Sequence, residues 1–393
     1  MKGRPAQRLW AWARRVPYRF GKELRAPKTP LGRRLYALRR RLGAESGRRT
    51  LSDGFIDPDA LVACYDLGHW PITYDFLWFM VAADLARREA GRSSLHVVFV
   101  ATEDWEAGSE GTDYYTVIDG AARRQRLFDI LIPCAGVLPT IRGFTVTGSR
   151  AEATTLIGQS GGRVFPDSYV PQFPRLDYVS FSNLVFDAAR AGTPVPSFEA
   201  PVGARDWVGR WLQGLPDGRP YVTITLRYFG YNPIRNSNLE AWGAFARELE
   251  AEGFHAVVVP DTHMTLDPLP PALAGVTLLK EAAWHVHLRA ALYEAAFLNL
   301  GINTGPMSLC WFNPRCRFII YKQVIEEGGV ASREAQIERG HDPLEPVPFA
   351  SPFQKLVLEP DDLPVIRREF QAMRGRIDAD PAAAGISVPK DRR

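Results

Sequence analysis

The sequence predicts an α/β protein in which two Rossmann-like, doubly wound domains follow a basic N-terminal arm. The chain of 393 residues is longer than a single hydrophobic core usually serves. Strand and helix patterns alternate in two separate stretches, and a proline-rich segment lies between them. The predicted order is an arm at 1–50, an N-terminal domain at 51–191, a linker at 192–204, a C-terminal domain at 205–350, a crossing segment and helix at 351–378, and a flexible tail at 379–393.

The net positive charge of the chain lies in the arm. Residues 1–50 hold 16 Lys and Arg against 2 Asp and Glu, a charge of +14, whereas the remainder holds 32 against 42, or −10. Apolar and aromatic residues recur there at helical spacing, as in segments that bind anionic membrane surfaces. We therefore expect residues 1–43 to contact a membrane. A nucleic-acid-binding domain would spread its charge over folded structure, so no nucleic-acid partner is expected. A disordered tail and a helix packed on the body are the alternatives.

The rest of the composition gives an expectation for location. No uncharged apolar run reaches the roughly 18 residues of a membrane span, and the N-terminus lacks the apolar core of a secretory signal. The four cysteines show neither the spacing of a zinc site nor that of a disulfide framework. We expect a cytoplasmic protein, peripheral at the inner face of the membrane.

The N-terminal domain begins with a predicted βαβ unit, which requires a parallel sheet. Its strands are expected at 61–65 and 95–100, and its helix at 73–88, where apolar residues recur at i, i+3, i+4 and i+7. Weaker patterns indicate structure at 129–133 and a helix at 150–158. The stretch 163–186 has no clear period.

The C-terminal domain shows a more regular alternation. Strands are predicted at 221–226, 255–259, 276–279, 297–301 and 317–321, and helices at 239–252, 284–295 and 306–311. Ser237 and Glu240 have the spacing of a capping box that opens the first of these helices.

One loop in this domain is typical of a binding site, since ligands in open α/β sheets bind where loops leave the carboxyl ends of strands. Gly305 allows close approach to the backbone, and Pro306 suits the first position of a helix. The amides of Met307 and Ser308 are then expected to point out of the helix as an anion site, for which a nucleotide diphosphate is the natural occupant. An ordinary strand-to-helix turn is the alternative.

From Leu288 to Lys322 the sequence resembles the donor domain of the heptosyltransferases of lipopolysaccharide synthesis. That family runs helix, strand, then Gly-Asn-Asp-Thr-Gly-Pro-Met-His-Leu, which Thr304-Gly305-Pro306-Met307 and Leu309 match. The resemblance implies a B-type glycosyltransferase fold with two domains facing a cleft. Asn303 replaces an acidic residue of the family and Ser308 replaces a histidine, which implies a different transferred sugar.

A second loop, at 227–236, is predicted to supply the other half of the donor site. Arg227 and Arg235 flank it, and a guanidinium can hold a leaving diphosphate bidentately. Fucosyltransferases, a weaker resemblance, also carry an arginine just past such a strand. Pairing of both arginines with surface carboxylates is the alternative.

Four more residues complete the predicted donor site. Asp261 and Glu281 end strands where related transferases bind base and ribose, and Lys322 ends another strand near a phosphate. Asn236 ends the loop at 227–236, the arginine loop. For Asp261 the alternative is capping of the following loop, and for Lys322 it is solvation.

Transfer with inversion needs a base for the attacking hydroxyl. The first strand-to-helix loop offers Asp66, His69 and Asp75. Asp75 could instead stabilise the helix dipole, and Asp66 could bind loop amides. No metal is expected, because the arginines and amides neutralise the diphosphate.

The sequence therefore predicts a glycosyltransferase that moves a sugar from a nucleotide-diphosphate sugar to a cell-envelope glycan or glycolipid. An inverting outcome is expected, with no cofactor beyond the nucleotide-sugar substrate. A nucleotide-sugar epimerase of the same fold and a non-catalytic binding scaffold are the alternatives.

Overall fold

Strands and helices alternate through the part of the chain that the computed structural model describes, namely residues 56–101, 105, 118–160, 163–167, 169–172 and 180–382. The strands are β1 (Ala60–Asp66), β2 (Ser94–Val100), β3 (Ile141–Thr147), β4 (Val164–Phe165), β5 (Tyr221–Thr225), β6 (His255–Val259), β7 (Thr277–Leu278), β8 (Leu298–Ile302), β9 (Phe318–Tyr321) and β10 (Gln354–Leu356). The helices are α1 (Phe76–Glu89), α2 (Gly120–Arg126), α3 (Ile132–Ala135), α4 (Arg150–Gln159), α5 (Ser180–Arg190), α6 (Val202–Gln213), α7 (Leu239–Ala251), α8 (Glu281–Trp284), α9 (Val286–Ala295), α10 (Ser308–Trp311), α11 (Arg333–Glu338) and α12 (Leu363–Ala379). The predictions for the arm at 1–50 fall on residues outside this part.

The strands form two sheets, in the orders β3-β2-β1-β4 and β10-β9-β8-β5-β6-β7. Strand β1 pairs in parallel with β2 and β4, and each neighbouring pair of the larger sheet is also parallel. The larger sheet has the dinucleotide-fold order, which reverses between β5 and β8. The predicted α/β class is confirmed.

The chain divides into two compact units. Unit 1 takes residues 1–71, 86–109 and 142–178. Unit 2 takes residues 72–85, 110–141 and 179–393, and includes the larger sheet. Residues 72–85 and 110–141, which the sequence places with the N-terminal domain, therefore group with the larger sheet.

In unit 2 the core forms between the sheet and helices α7 and α12. Trp242 and Phe245 of α7 are buried, and they lie in one apolar cluster with Ile224, Leu300 and Phe370. This is the helix face that the sequence periodicity predicts. Burial of each such side chain contributes about 1.5–3 kcal/mol.

A buried carboxylate ties the C-terminal segment to the start of α7. Asp361 is 1% exposed, and its Oδ2 accepts hydrogen bonds from the Asn238 amide at 2.7 Å and from Trp242 Nε1 at 2.8 Å. Lys322 Nζ lies 3.9 Å from the other carboxylate oxygen. One acidic side chain thus joins the end of β9, the crossing segment and helix α7.

Helix α7 begins differently from its prediction. The cap is Asn238, whose side chain accepts from the Ala241 amide at 3.2 Å. Ser237 lies one residue too early, and its hydroxyl accepts from the Arg227 amide at 2.9 Å instead. The predicted capping box from Ser237 to Glu240 is therefore wrong.

Two further elements depart from the sequence pattern. Strand β3 is not predicted, because it is an edge strand whose residues are mostly part-exposed and include Gly143. The helix predicted at 284–295 is broken at His285, whose extended backbone (φ −114°, ψ 102°) separates α8 from α9.

We predict that Gly243→Ala destabilises unit 2 by about 3 kcal/mol or more, because tight packing tolerates little added volume. A Cβ at this position would lie 1.9 Å from the Ala272 carbonyl oxygen, which belongs to the backbone against which α7 packs. Denaturant unfolding would measure the change.

The matched control is Gly375→Ala in α12, where an added Cβ meets nothing within 4 Å. It is expected to stabilise the protein by up to about 1 kcal/mol, because alanine restricts the unfolded chain. Equal effects at the two positions would contradict the packing described here.

Candidate functional site

The order reversal of the larger sheet places two loops side by side, the one after β5 and the one after β8. In parallel sheets this switch point is where ligands bind. The loops are the two that the sequence predicts to form the donor site. Both loops belong to unit 2.

The loop after β8 does not offer the amides that the sequence predicts. Gly305–Met307 form a 3-10 turn. The Met307 amide donates to the Thr304 carbonyl at 3.1 Å, and the Ser308 amide donates to the Gly305 and Pro306 carbonyls. The prediction that both amides point outward is wrong, because the tighter turn uses them internally.

Gly305 is closely approached by Tyr74. A Cβ at Gly305 would lie 3.0 Å from Tyr74 Cδ2 and 3.1 Å from its Cβ. The glycine therefore admits an aromatic ring. Tyr74 is absent from the sequence-predicted site, although it directly precedes Asp75, a predicted base.

Arg227 holds its own loop together. Its side chain donates to the Tyr231 carbonyl at 2.6 Å, to the Asn232 carbonyl at 3.2 Å, and to Asn236 Oδ1. Asn236 in turn bonds both backbone groups of Phe229. The alternative of a surface ion pair is wrong, because Arg227 is 6% exposed and bonds carbonyl oxygens.

The charge of Arg227 is poorly compensated by the protein. Burial, followed by the positive charge of Arg235, lowers the pKa of Arg227 to about 10. Within the described residues, no carboxylate oxygen lies within 4.0 Å of the Arg227 guanidinium, the distance of an ion pair. Such a site favours a bound anion.

Arg235 is in a similar state. One terminal nitrogen donates to the Asn303 carbonyl at 3.1 Å, whereas its Nε is buried and has no partner in the described part of the chain. Burial lowers the pKa of Arg235, and the charge of Arg339 lowers it further, while Asp75 acts in the opposite direction. The side chain of Asp75 is therefore near this arginine.

A third arginine, Arg289 of α9, escapes sequence reasoning. It is 3% exposed, and its Nε donates to the Ala282 carbonyl at 2.7 Å. Burial opposes its charge, but Tyr293, Tyr74 and Asp261 outweigh burial and raise its pKa. No local sequence pattern indicates its burial, because an arginine on a helix is ordinarily a surface residue.

The remaining predicted donor residues mostly support the loops. Asp261 Oδ2 accepts from the Tyr228 amide at 3.1 Å. Lys322 has a left-handed backbone (φ 55°), and its Nζ donates to the Asn236 carbonyl at 3.0 Å, so it is not simply solvated. The Asn303 side chain donates to the Gln323 carbonyl at 3.1 Å. Glu281 is exposed at the start of α8.

The three candidate bases separate by environment. Asp66 is fully buried in unit 1, where it accepts from Tyr169 at 2.7 Å and from Arg150 and the Gly68 amide at 3.1 Å. Burial raises its pKa although these contacts oppose the rise. The bond from the Gly68 amide is the loop contact that the alternative for Asp66 predicts.

The other two candidates are more accessible. His69, also in unit 1, is half-buried and meets Trp70 edge-on, with ring centroids 6.1 Å apart. Asp75 belongs to unit 2 and is exposed, and its Oδ2 accepts from the Thr73 hydroxyl at 2.9 Å. Asp75 is thus the candidate that the structure brings to the arginines.

Metal-binding clusters and membrane-spanning helices are both absent from the described residues. These residues contain no group of three or more His, Cys, Asp or Glu side chains that could hold a metal ion. None of their helices combines the length and the apolar character needed to cross a membrane.

Neither a model of a protein family nor a curated protein matches the chain. Solved structures do. A glycosyl transferase of family 9 from Veillonella parvula is 12% identical with a TM-score of 0.47, and the alignment covers 82% of this chain and 96% of that one. An E. coli ADP-heptose heptosyltransferase II is 9% identical with a TM-score of 0.45, covering 81% and 99%.

A further match is an E. coli heptosyltransferase solved with ADP-2-deoxy-2-fluoro heptose, at 12% identity and a TM-score of 0.36, covering 79% and 99%. The sequence identity to each of these three structures is 12% or lower.

We predict that inorganic pyrophosphate stabilises the protein. At about a hundred times its Kd, binding to the folded state alone contributes about 2.7 kcal/mol, or a rise in Tm of about 5 °C. In Arg235→Ala most of this rise should disappear, because the part-buried guanidinium is removed. Differential scanning fluorimetry would measure both.

The control is Arg367→Ala. This change removes an ion pair between Arg367 of α12 and Glu248 of α7. This variant should keep the full pyrophosphate-dependent rise. An equal rise in all three proteins would show that the anion binds elsewhere.

Proposed function

We propose that the chain is a glycosyltransferase that moves a sugar from a nucleotide-diphosphate sugar to an acceptor hydroxyl. The observation that carries this proposal is a group of three arginines at the switch point, none of which has a carboxylate at ion-pair distance within the described residues. Arg227 and Arg289 are buried, and Arg235 is part-buried with an unpartnered, buried Nε. Buried charges favour a counter-ion, and a diphosphate supplies one.

The surroundings favour a sugar-bearing ligand over a simple anion. Asp75 and Asp261 both act electrostatically on these arginines, and carboxylates can accept hydrogen bonds from sugar hydroxyls. The Thr304-Gly305-Pro306-Met307 motif, which resembles the heptosyltransferase signature, lies at the same sheet edge. Cations for the leaving group and carboxylates for hydroxyls thus occur together.

The proposed step is a displacement at the anomeric carbon. The acceptor oxygen forms the new bond to that carbon while the bond to the diphosphate oxygen breaks, and the electron pair leaves on the diphosphate. The acceptor proton passes to Asp75. Attack opposite the leaving group inverts the anomeric carbon. The arginines stabilise the growing negative charge without a metal ion.

We predict that Asp75→Asn lowers kcat by about 10²- to 10⁴-fold, which is the usual contribution of a general base. The Kd of the nucleotide sugar should stay nearly unchanged, because asparagine keeps the size of the side chain. The measurement is transfer with a panel of UDP-, GDP-, ADP- and CMP-sugars, with donor binding measured by calorimetry.

His69→Gln is the matched variant. Unchanged turnover in Asp75→Asn with loss of turnover in His69→Gln would assign the base to His69. Isomerised nucleotide sugar without transfer, in the wild type, would indicate an epimerase. No binding of any donor, together with no turnover, would indicate a scaffold protein.

For the acceptor we propose a cell-envelope glycan or glycolipid, reached from the inner face of the membrane. The support is the charge of residues 1–50, since clustered Lys and Arg attract anionic lipid with about 1 kcal/mol each near the surface. This segment lies outside the described residues, so the proposal rests on its sequence.

We predict that deletion of residues 1–43 releases the protein from phosphatidylcholine vesicles that contain phosphatidylserine. Binding of the full chain should fall steeply with salt, because screening shortens the range of the attraction. Co-sedimentation at low and high salt measures this. Salt-independent binding of the truncated protein would show that another surface makes the contact.

A further inference from the structure

Tyr74 combines two features that point to a role beyond packing. Its ring lies on Gly305, where a Cβ would meet Cδ2, Cβ and Cγ of the tyrosine at 3.0, 3.1 and 3.3 Å. Gly305 has an ordinary negative φ, so the backbone conformation does not require glycine here. Glycine is required at this position because the Tyr74 ring occupies the space of a Cβ.

The hydroxyl of Tyr74 lies among the charges of the site. Arg289, Arg126 and Asp261 all act electrostatically on it, and Arg126 also lies over the Phe229 ring of the arginine loop, 6.0 Å from its centroid. Within the described part of the chain, no protein group hydrogen-bonds this hydroxyl. A phenol on which two guanidinium groups act is suited to a negatively charged oxygen.

The protonation state agrees with a donating role. Burial raises the pKa of Tyr74 to about 12, and the positive charge of Arg289 only partly opposes the rise. The phenol therefore keeps its proton at neutral pH and can donate it in a hydrogen bond.

We propose that Tyr74 is a ligand-contacting residue of the donor site: its ring, seated on Gly305, forms one wall, and its hydroxyl donates a hydrogen bond to an oxygen of the bound diphosphate. This inference rests on the proposed function. It also changes the interpretation of the motif, because position 305 is then glycine to seat Tyr74 and not to admit the phosphate itself.

The hydroxyl is tested with Tyr74→Phe, which keeps the ring. A hydrogen bond to a charged oxygen is strong, so the Kd for pyrophosphate and for the tightest of ADP, GDP, UDP and CDP should rise about tenfold. The Tm without ligand should stay unchanged. Wild-type affinity in Tyr74→Phe would overturn the hydroxyl contact.

The ring is tested by a double-mutant cycle with Gly305→Ala and Tyr74→Ala. Alone, Gly305→Ala should weaken nucleotide binding several-fold, because the added methyl displaces the ring by a few tenths of an ångström. In the Tyr74→Ala background the same change should have no effect, because the contact is gone. An equal loss of nucleotide affinity in both backgrounds would mean that Gly305 faces the ligand directly. That result would overturn the proposal that the Tyr74 ring forms a wall of the site.

A comparison of Tyr74→Phe with Arg235→Ala separates this inference from the function on which it rests. If Arg235→Ala loses pyrophosphate affinity and Tyr74→Phe does not, the donor site stands and the role of Tyr74 fails. If the wild-type protein binds neither pyrophosphate nor any of the four nucleotides, both fail. Calorimetry on the full chain distinguishes these results.

Discussion

The architecture of the site in unit 2 depends on how it keeps the guanidinium groups of Arg227 and Arg289 out of water. Desolvation of a charge is costly, and the usual remedy is a carboxylate partner. Here backbone carbonyls fill that role for Arg227 and Arg289. A carbonyl dipole neutralises less charge than a carboxylate, so the positive potential remains available to a ligand. Burial, and then the positive charge of Arg235, lower the pKa of Arg227 to about 10.

Those carbonyls are available only because the loop after β5 is folded back on itself. Asn232 takes a left-handed conformation (φ 52°), which aims consecutive carbonyls of the loop at one side chain. Asn236 closes the other end of the loop by bonding Phe229. The arginine and the loop therefore order each other, and neither conformation would persist alone.

The sequence predicts the scaffold well and the fine structure of the site poorly. Buried parallel strands such as β5 and β6 are rich in β-branched residues, and the apolar face of α7 has a clear period, so both are visible locally. The position of the site follows from strand order, which the motif loops also indicate.

What the sequence could not predict depends on contacts between distant residues. Whether the Met307 amide points outward is decided by a 3-10 turn in place of an α-helical one, and both fit the same residues. Arg289 resembles a surface residue of a helix until the tertiary structure buries it. The partner of Gly305 lies more than 200 residues earlier in the chain, where no local pattern can indicate it.

The buried carboxylate of Asp361 has a consequence for the order of folding. It bonds the Asn238 amide and the Trp242 indole across separations of 123 and 119 residues. Closing so long a stretch of chain is slow and entropically unfavourable until other contacts compensate. The start of α7 is therefore completed only when residue 361 has docked. The same holds for the C-terminal end of the arginine loop, which directly precedes this helix. During synthesis from the N-terminus, the nascent chain would acquire its sheet before it acquires the proposed anion-binding site.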